Sequence, residues 1–241
     1  MLSIGSYNIH RCVGTDMRCD AERVAAVIRE MGCDTVGLQE VSSRPGPRSD
    51  SMQLEFLAQA TGMTPIAGST IIRHEGEYGN ALLTRRRILD VKRHDLSFHR
   101  REPRGALEVD IEVDGEPVCV VVTHLGLRMA ERRYQVRKML ELLRQVPMDQ
   151  SVVVLGDINE WLPLSRPLRW LHEMLGQPPW QRSFPVWLPV FALDRVWVRP
   201  RGSLQRFSVH RTALARRASD HFPVKAQVMA HATPLRDAKA D

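Results

Sequence analysis

The sequence has few cysteines and no cysteine pair with a recognised spacing. Its four cysteines are Cys12, Cys19, Cys33 and Cys119, and Cys119 lies inside an apolar run. This usage argues against a disulfide scaffold and predicts a reducing, cytoplasmic location. The C-x₂-C spacing of structural zinc sites is also missing, so a zinc site formed by His10, Cys12 and Cys19 is disfavoured.

Long apolar runs and several common catalytic motifs are missing as well. No run approaches the ~20 apolar residues of a membrane-spanning helix, and residues 1–8 lack the pattern of a signal peptide. The sequence contains no Walker motif, no G-x-G-x-x-G and no G-x-S-x-G. Ser219, Asp220 and His221 are contiguous, so they cannot form a spatial Ser–His–Asp triad. These absences argue against a transmembrane segment, nucleotide-driven chemistry and a serine nucleophile.

Lysine is scarce, although the chain is basic. Only Lys92, Lys138, Lys225 and Lys239 are lysines among the 34 basic residues, and the formal net charge is +6. Arginine suits bidentate phosphate contacts, and a basic balance fits polyanionic partners or anionic membrane surfaces. A coding bias toward arginine would give the same count, and we give that explanation the greater weight.

The chain does contain a dense succession of short apolar strands and helices. Its 241 residues, 43% of them hydrophobic and 26% charged, suit one large domain with a substantial core. Strands outnumber helices, and hairpins are mixed with strand–helix–strand units. This predicts an α/β domain with a mixed sheet, or two sheets packed face to face with helices outside. We expect a single domain over residues 1–230 and a flexible tail over residues 231–241.

Periodicity, caps and turn residues locate the predicted elements. Asp20 is expected to cap a helix that stops at Gly32, Asp50 and Gln53 have the spacing of a capping box, and Asp114-Gly115 predicts a hairpin turn. Strands are predicted at residues 2–8, 35–38, 67–72, 80–85, 106–113, 117–125, 152–155, 193–198, 204–209 and 222–229, and further helices at 52–61, 129–146 and 166–175.

Polar side chains interrupt these apolar strands at their ends. Residues just beyond the end of a buried strand face a crevice while the sheet holds them still. Each residue alone has an ordinary explanation, such as a cap, a turn or a hydrogen-bonded histidine, but the whole set is harder to explain in that way. Its members are Asn8, Glu40, His124, Asp157, Asn159, Asp194, Asp220 and His221. Asp157 and Asn159 lie two apart, so an extended backbone would point both side chains the same way.

The residue types in this set indicate a chemistry. Carboxylate and amide oxygens from Glu40, Asp157, Asp220, Asn8 and Asn159, without a thiolate, suit a hard cation such as Mg²⁺ or Mn²⁺. Such ions keep waters and bind phosphate oxygens. Histidines that are not needed as ligands can then act on a substrate phosphate as donors or as acid–base groups.

The same positions lie in short blocks that resemble the endonuclease/exonuclease/phosphatase superfamily. Its members include pancreatic-type deoxyribonucleases, apurinic endonucleases, inositol polyphosphate phosphatases and bacterial sphingomyelinases. Any one block is weak, but the set appears in family order over nearly the whole chain. The blocks are SYNIH at 6–10, LQEV at 38–41, YGNALL at 78–83, THL at 123–125, GDIN at 156–159, LDRV at 193–196 and SDHFPV at 219–224.

The resemblance implies a four-layer α/β sandwich of two packed mixed β-sheets flanked by helices. It also implies residue roles. Glu40 would be the principal metal ligand, helped by Asn8, with Asp220 as a further candidate ligand. Asp157 would orient or deprotonate the attacking water, and Asn159 would hold a phosphate oxygen. His221, paired with Asp194, would stabilise charge on phosphorus, and His124 would contact another non-bridging oxygen. Asn80 and Arg104 resemble positions at the cleft rim.

The expected function is a Mg²⁺- or Mn²⁺-dependent phosphoester hydrolase, with a nuclease-like phosphodiesterase preferred over a monoesterase. A nucleic acid, a phospholipid headgroup and an inositol phosphate all remain open as substrates, because arginine clusters at residues 85–87, 100–101 and 199–217 suit each of them. No aromatic and basic surface marks a nucleic-acid groove. The Trp- and Pro-rich segment 161–187 is interpreted either as a wall of the substrate pocket or as a packed lid without a role in specificity.

The alternative from another class is a catalytically inactive member that binds a phosphorylated partner or a membrane surface. Inactive members usually lose a metal ligand or a water-positioning residue, whereas Glu40, Asp157, Asn159, Asp220 and His221 are all present. This favours the enzyme. The sequence gives no indication of oligomeric state.

Overall fold

Two mixed β-sheets pack face to face in the computed structural model, which describes residues 1–47 and 50–230. The described residues form eleven strands: β1 (Leu2–Asn8), β2 (Thr35–Ser43), β3 (Thr64–Arg73), β4 (Gly76–Thr84), β5 (Ile88–Asp95), β6 (Gly105–Val113), β7 (Glu116–His124), β8 (Ser151–Asp157), β9 (Asp194–Arg199), β10 (Leu204–Val209) and β11 (Val224–Val228). One sheet has the order β10-β11-β1-β2-β4-β3 and the other β5-β6-β7-β8-β9.

In the described part of the chain, five α-helices cover the outer faces of the sheets: α1 (Ala21–Met31), α2 (Gln53–Thr61), α3 (Met129–Gln145), α4 (Arg166–Leu175) and α5 (Ala213–Ala218). The apolar faces of α1, α2 and α5 pack on the six-stranded sheet through residues such as Val24, Leu57 and Ala215. Those of α3 and α4 pack on the five-stranded sheet through residues such as Val136 and Leu168. A third buried cluster fills the space between the sheets. The predicted four-layer sandwich is therefore confirmed.

Several local signals act as predicted. The Asp20 side chain accepts a hydrogen bond from the Arg23 backbone N, 2.9 Å away, at the start of α1, and Gly32 ends that helix in the left-handed region with φ 63°. Asp114 and Gly115 both have positive φ, 54° and 89°, in the turn between β6 and β7. Helix α4 covers the predicted residues 166–175.

The capping-box prediction at the start of α2 is wrong. Met52 is the N-cap residue and makes no side-chain cap. The Gln53 side chain instead accepts from the Ser42 backbone N at 2.9 Å and donates to the Arg11 carbonyl at 2.7 Å. It thus ties three segments together, because a buried amide side chain must find partners wherever they lie.

Strand β5 and helix α5 have no counterpart in the sequence-based prediction. Strand β5 is the edge of its sheet, and its exposed positions carry charges that weaken the apolar pattern. Helix α5 has only six residues, and the Thr212 side chain caps it by accepting from the Ala215 backbone N. The predicted tail at residues 231–241 lies outside the described residues. Within residues 1–47 and 50–230, no helix combines the length and apolar character needed to cross a membrane.

Strand direction brings the two sheets' polar ends to one edge of the sandwich. Strands β1 and β2 are parallel, and so are β7 and β8. Strands β9 and β11 run antiparallel to β8 and β1, so β9 begins at this edge and β11 begins next to it. The residues after β1, β2, β7 and β8 and those before β9 and β11 therefore meet there.

Candidate active site

A cleft of about 450 Å³ opens at this edge. Most of the site residues predicted from the sequence line it: Glu40, Arg104, His124, Asp157, Asn159, Asp220 and His221. Asn8 and Asp194 are buried and hydrogen-bonded to residues of that group. The site therefore draws on both sheets: on the ends of β1, β7 and β8, on the start of β9, on the residues before β11 and on Glu40 within β2.

Glu40 reaches the cleft through an irregularity in β2. The pairing of β2 with β4 shifts register between Leu38 and Val41, and Glu40 has a left-handed backbone with φ 59°. A positive φ is uncommon for a residue with a Cβ, and bulges of this kind re-aim side chains near functional sites. The bulge explains why Glu40 lines the cleft in the middle of a strand.

Asn8 connects Glu40 to Asp157. Its amide Nδ2 lies 3.3 Å from Glu40 Oε1 and 3.1 Å from Asp157 Oδ2, and its Oδ1 accepts from the His10 backbone N at 3.1 Å. Two carboxylate oxygens from different sheets therefore converge on one atom. A half-turn of the Asn8 amide would present Oδ1, instead of Nδ2, to a cation between them.

Asp157 uses its two oxygens differently. Oδ1 accepts from the backbone N of Asn159 at 2.9 Å and shapes the turn after β8, whereas Oδ2 faces Asn8 and two imidazoles. Asn159 has φ 51°, so the two side chains share the cleft through this turn and not through the extended backbone that was predicted. Gly156 lets β8 pass close to β7, because a Cβ there would lie 1.8 Å from the Thr123 carbonyl oxygen.

His221 is a buried imidazole between carboxylates. Its Nδ1 lies 2.9 Å from Asp194 Oδ2, and its Nε2 lies 3.6 Å from Asp157 Oδ2. Burial opposes a charge on the ring, but Asp194 and Asp157, helped by Asp220, outweigh it and raise the pKa of His221 to about 10. At 3.6 Å the Nε2–H is too far from Asp157 for a good hydrogen bond and can donate to a ligand.

His124 is equally buried and has the opposite charge preference. Its Nδ1 lies 3.2 Å from Arg104 Nη1, and its Nε2 lies 3.0 Å from Asn159 Nδ2. Burial and the neighbouring Arg104 guanidinium lower the pKa of His124 to about 3, so the ring is neutral at physiological pH. A neutral imidazole accepts a hydrogen bond at one nitrogen only, so His124 can accept from Asn159 Nδ2 or from Arg104 Nη1 but not from both. With protein groups at both ring nitrogens, the ring suits positioning these neighbours better than direct contact with a phosphate.

Asp220 and the two rim residues occupy different settings. Asp220 lines the cleft half-exposed, with Oδ1 3.3 Å from Ser219 Oγ and 3.8 Å from His10 Nδ1. Arg104 also lines it, and its Nη1 lies 2.9 Å from Glu102 Oε1. Asn80 instead lines a smaller neighbouring pocket of about 210 Å³ and donates to the Gly105 carbonyl at 3.0 Å. It therefore supports the segment that carries Arg104.

The donor set fits a hard divalent cation beside Glu40. Glu40 and Asp157 each place a carboxylate oxygen within 3.3 Å of the Asn8 amide nitrogen, and Asp220 adds a third carboxylate to the cleft. Asp157, Asp194 and His221 also have possible ligand atoms within 4.8 Å of one another. A metal ion bound by Asp157, Asp194 and His221 would have to displace the proton that gives the His221 ring its positive charge. These three residues therefore suit a protonated imidazole better than a metal ion.

Several cleft residues have no strand-end signal in the sequence. Arg11 and Arg44 lie outside the strands, and Trp161 and Phe184 come from the Trp- and Pro-rich segment. Ser183 is buried and donates its hydroxyl proton to Asp194 Oδ2, which fixes the partner of His221. These side chains belong to irregular segments, where neither periodicity nor spacing marks them.

Arg132 is a buried charged residue on α3. Its Nε lies 3.0 Å from Glu160 Oε2. Its Nη1 donates to the Leu127 carbonyl at 2.6 Å. The ion pair therefore fastens the loop after β7 to the loop after β8, and both loops border the cleft.

Sequence comparison decides the family. The Endonuclease/Exonuclease/phosphatase family matches residues 5–221. The chain belongs to this family. Uncharacterized protein YbhP of Escherichia coli (strain K12) is 31% identical to it, over 92% of the chain and 94% of the relative.

Solved structures of endonuclease/exonuclease/phosphatase proteins share the fold. The endonuclease/exonuclease/phosphatase from Beutenbergia cavernae DSM 12333 has a TM-score of 0.76 and 24% identity, over 97% of this chain and 72% of that chain. The mannosyl-6-phosphatase Bt3783 of Bacteroides thetaiotaomicron VPI-5482 has a TM-score of 0.74 and 19% identity, over 95% of this chain and all 100% of that chain. The family assignment supports phosphoester hydrolysis in general.

Proposed function

We propose that the chain is a Mg²⁺- or Mn²⁺-dependent phosphodiesterase that uses in-line attack by water. The observation that carries the proposal is the series of contacts Glu40–Asn8–Asp157–His221, which joins the expected metal ligand, the water-orienting carboxylate and a charged donor in one cleft. Phosphoryl transfer by water requires these three functions together.

Each residue of the series has a proposed task. Glu40 holds the ion with Asn8, and Asp220 is the further candidate ligand; a bound divalent ion supplies Lewis-acid neutralisation of phosphate oxygens. Asp157 orients the water and accepts its proton as the water oxygen bonds to phosphorus and one P–O ester bond breaks. The leaving oxygen takes up a proton.

The remaining polar residues stabilise charge on the phosphate. His221 donates from Nε2 to a non-bridging oxygen, and Asp194 and Ser183 hold its ring. Asn159 holds another phosphate oxygen, and His124 keeps the Asn159 amide in place. We also propose that Arg104, supported by Asn80, contacts the substrate at the rim.

The charge of the cleft favours a diester over a monoester or a polyphosphate. Carboxylates outnumber arginines among its lining residues, which include Glu40, Glu75, Glu77, Glu102, Asp157 and Asp220 against Arg11, Arg44, Arg73 and Arg104. A divalent ion and the charged His221 offset this excess but leave little positive charge beyond it. A ligand with a single negative charge, as in a phosphodiester, is therefore better matched than one with several.

A metal-dependence assay tests the proposal. We expect the purified chain to hydrolyse bis-p-nitrophenyl phosphate with Mg²⁺ or Mn²⁺, to hydrolyse p-nitrophenyl phosphate more slowly, and to lose activity in EDTA. Glu40→Gln should reduce kcat by ~10²–10³, in line with the loss of a charge-stabilising group. Glu75→Gln is the matched control, because Glu75 lines the same cleft on an exposed turn away from the Asn8 amide.

Three results would contradict the proposal. Metal-independent hydrolysis would remove the ion from the reaction. Faster cleavage of the monoester would make the chain a phosphatase. A metal-loaded, folded chain that is inert toward nucleic acids, phospholipids and inositol phosphates would favour the binding-only alternative.

A further inference from the structure

Three loops that border the cleft, the first of which runs into the start of α3, carry large apolar side chains that are exposed to solvent. We call these residues the apolar rim: Leu127, Met129, Leu162, Leu164, Trp187 and Leu188. Leu164 is 86% exposed and Trp187 is 73% exposed. Single exposed apolar residues are ordinary, but several around one cleft mark an interaction surface.

The three loops lie at the same cleft and are fastened to one another. Each contributes one residue to the cleft wall, namely Leu127, Trp161 and Phe184. The buried Arg132–Glu160 pair joins the first loop to the second. The Trp161 ring packs edge-on against Phe184 and Phe191, with centroid distances of 6.0 and 4.9 Å, and so joins the second loop to the third.

The exposed charged residues of these loops are all positive. Residues 126–133, 160–166 and 181–191 contain two acids, Glu131 and Glu160, which are only 4% and 1% exposed. Three of their five arginines, Arg128, Arg166 and Arg182, are exposed, whereas Arg132 is buried and Arg133 is part-buried. Within these segments, all of which the structure describes, the solvent therefore meets apolar tips and positive charges but no exposed carboxylate.

This combination suits the boundary of an anionic bilayer. Apolar side chains enter the headgroup–acyl boundary, and neighbouring arginines pair with anionic lipids. A single-stranded nucleic acid would call for stacking aromatic rings, whereas five of the six residues of the apolar rim are Leu or Met. We propose that the apolar rim docks on an anionic phospholipid membrane and that the phosphodiester entering the cleft is that of a phospholipid.

The proposal rests on the phosphodiesterase function and names its substrate class. A phospholipid carries one phosphodiester at the membrane surface, so a rim that lies flat on the bilayer presents the cleft mouth to it. Water adds to phosphorus, and one of the two P–O ester bonds breaks, as proposed above for a diester in general.

Vesicle co-sedimentation of the full chain tests the docking step separately from catalysis. We expect binding to vesicles of equal parts phosphatidylcholine and phosphatidylglycerol, weaker binding to pure phosphatidylcholine, and weaker binding at high salt. The double variant Leu164→Ser/Trp187→Ser should bind the anionic vesicles about tenfold more weakly, because it removes apolar area from the docking face. Arg128→Gln/Arg182→Gln should flatten the salt dependence.

Leu89→Ser/Met148→Ser is the matched control for the apolar substitutions. Leu89 lies on β5 and Met148 precedes β8, both away from the cleft loops, and both are exposed. This variant should bind vesicles like the wild type. Leu164→Ser/Trp187→Ser should cleave soluble bis-p-nitrophenyl phosphate within about twofold of the wild type but cleave phosphatidylglycerol in vesicles about tenfold more slowly, in proportion to its lost binding.

The outcomes separate the two proposals. If Glu40→Gln binds vesicles like the wild type but the wild type cleaves no diester, the docking surface stands and the phosphodiesterase function fails. If the wild type cleaves bis-p-nitrophenyl phosphate but neither binds anionic vesicles nor loses binding in the rim variant, the docking proposal is overturned. Self-association that Leu164→Ser/Trp187→Ser abolishes, without vesicle binding, would identify the apolar rim as a contact between copies of the chain and would also overturn it.

Discussion

His124 and His221 both face Asp157, and they differ most in the charged residue at Nδ1. Each is 5% exposed, and each Nε2 is 3.6 Å from the same Asp157 Oδ2. Yet the pKa of His221 is raised to about 10, while the pKa of His124 is lowered to about 3. Asp194 stands behind the first ring, and Arg104 stands behind the second.

The difference shows that burial does not decide whether an imidazole in this site is charged. Burial disfavours the charged form of both rings, and the neighbouring charges, chiefly Asp194 for His221 and Arg104 for His124, decide the direction of each pKa shift. One histidine becomes a cationic donor that can face a phosphate, and the other becomes a neutral support for Asn159. The site obtains two functions from one residue type by changing only the partner of Nδ1.

Replacing His221, the charged ring, should have the greatest effect on catalysis. His221→Gln should lower kcat for bis-p-nitrophenyl phosphate by ~10²–10³, since it deletes a donor aimed at developing negative charge. His94→Gln is a matched control, because His94 also pairs with a carboxylate, Glu108 Oε2 at 2.8 Å, but on β5 and β6 and outside the cleft. Equal losses in the two variants would show that the effect is structural and not catalytic.

Asp194→Asn tests whether the second neighbour sets the charge. Without that carboxylate, less negative charge offsets the effect of burial, which lowers the pKa. The pKa of His221 should therefore fall from about 10 toward neutrality. Activity at pH 8 should drop by roughly tenfold to 10², and the loss should shrink as the pH is lowered and the ring regains its proton. A kcat–pH profile from pH 5.5 to 10 measures this shift. An alkaline limb unchanged in Asp194→Asn would mean that Asp194 does not control the proton.

The smallest expected effect lies in stability, where the two rings have opposite signs. The folded-state pKa of His221 is raised from the usual 6.5 to about 10, so its stabilisation is complete below pH 6.5 and is lost as the pH rises toward 10. The folded-state pKa of His124 is lowered from 6.5 to about 3, so the protein loses stability as the pH falls from 6.5 toward 3.

Urea unfolding of the wild type and the two glutamine variants at several pH values measures both slopes. The stability difference between the wild type and His221→Gln should shrink between pH 6.5 and 10. The difference between the wild type and His124→Gln should shift against the wild type below pH 6.5. Parallel pH curves for all three proteins would refute the opposite charge assignments.

The pattern of the sequence predicts most of the strands, because they are short, apolar and ended by recognisable turns, whereas the four-layer arrangement is implied by the family resemblance. Asp20, Gly32 and Asp114-Gly115 act locally, so their signals survive folding. The pattern does not reveal β5, whose exposed edge carries charges. It also does not reveal α5, whose 6 residues make fewer than two helical turns.

The site is predictable where a buried strand ends and much less so elsewhere. Glu40, His124 and Asp157 stand out as polar residues after apolar runs. Ser183 and Arg132 do not, because their positions depend on contacts between segments distant in sequence, with Asp194 and with Glu160. Such pairings are set by tertiary packing, which no local pattern encodes. The backbone turn at Asn159 is not predicted for a related reason. It is stabilised by a hydrogen bond from the Asn159 backbone N to Asp157 Oδ1, just beyond the end of β8, and not by the extended backbone that the spacing suggests.

Glu40 and Asn8 belong to one sheet, and Asp157 and His124 belong to the other. The catalytic rate should therefore depend on how the two sheets are aligned. A slip of about 1 Å between them would part the Asn8 amide from Asp157 and can cost ~10²-fold in rate, while most of the hydrophobic core stays buried. Catalysis should thus fade before spectroscopic unfolding begins as the protein is warmed. The hydrolysis of bis-p-nitrophenyl phosphate would then detect a loss of alignment between the two sheets before global unfolding.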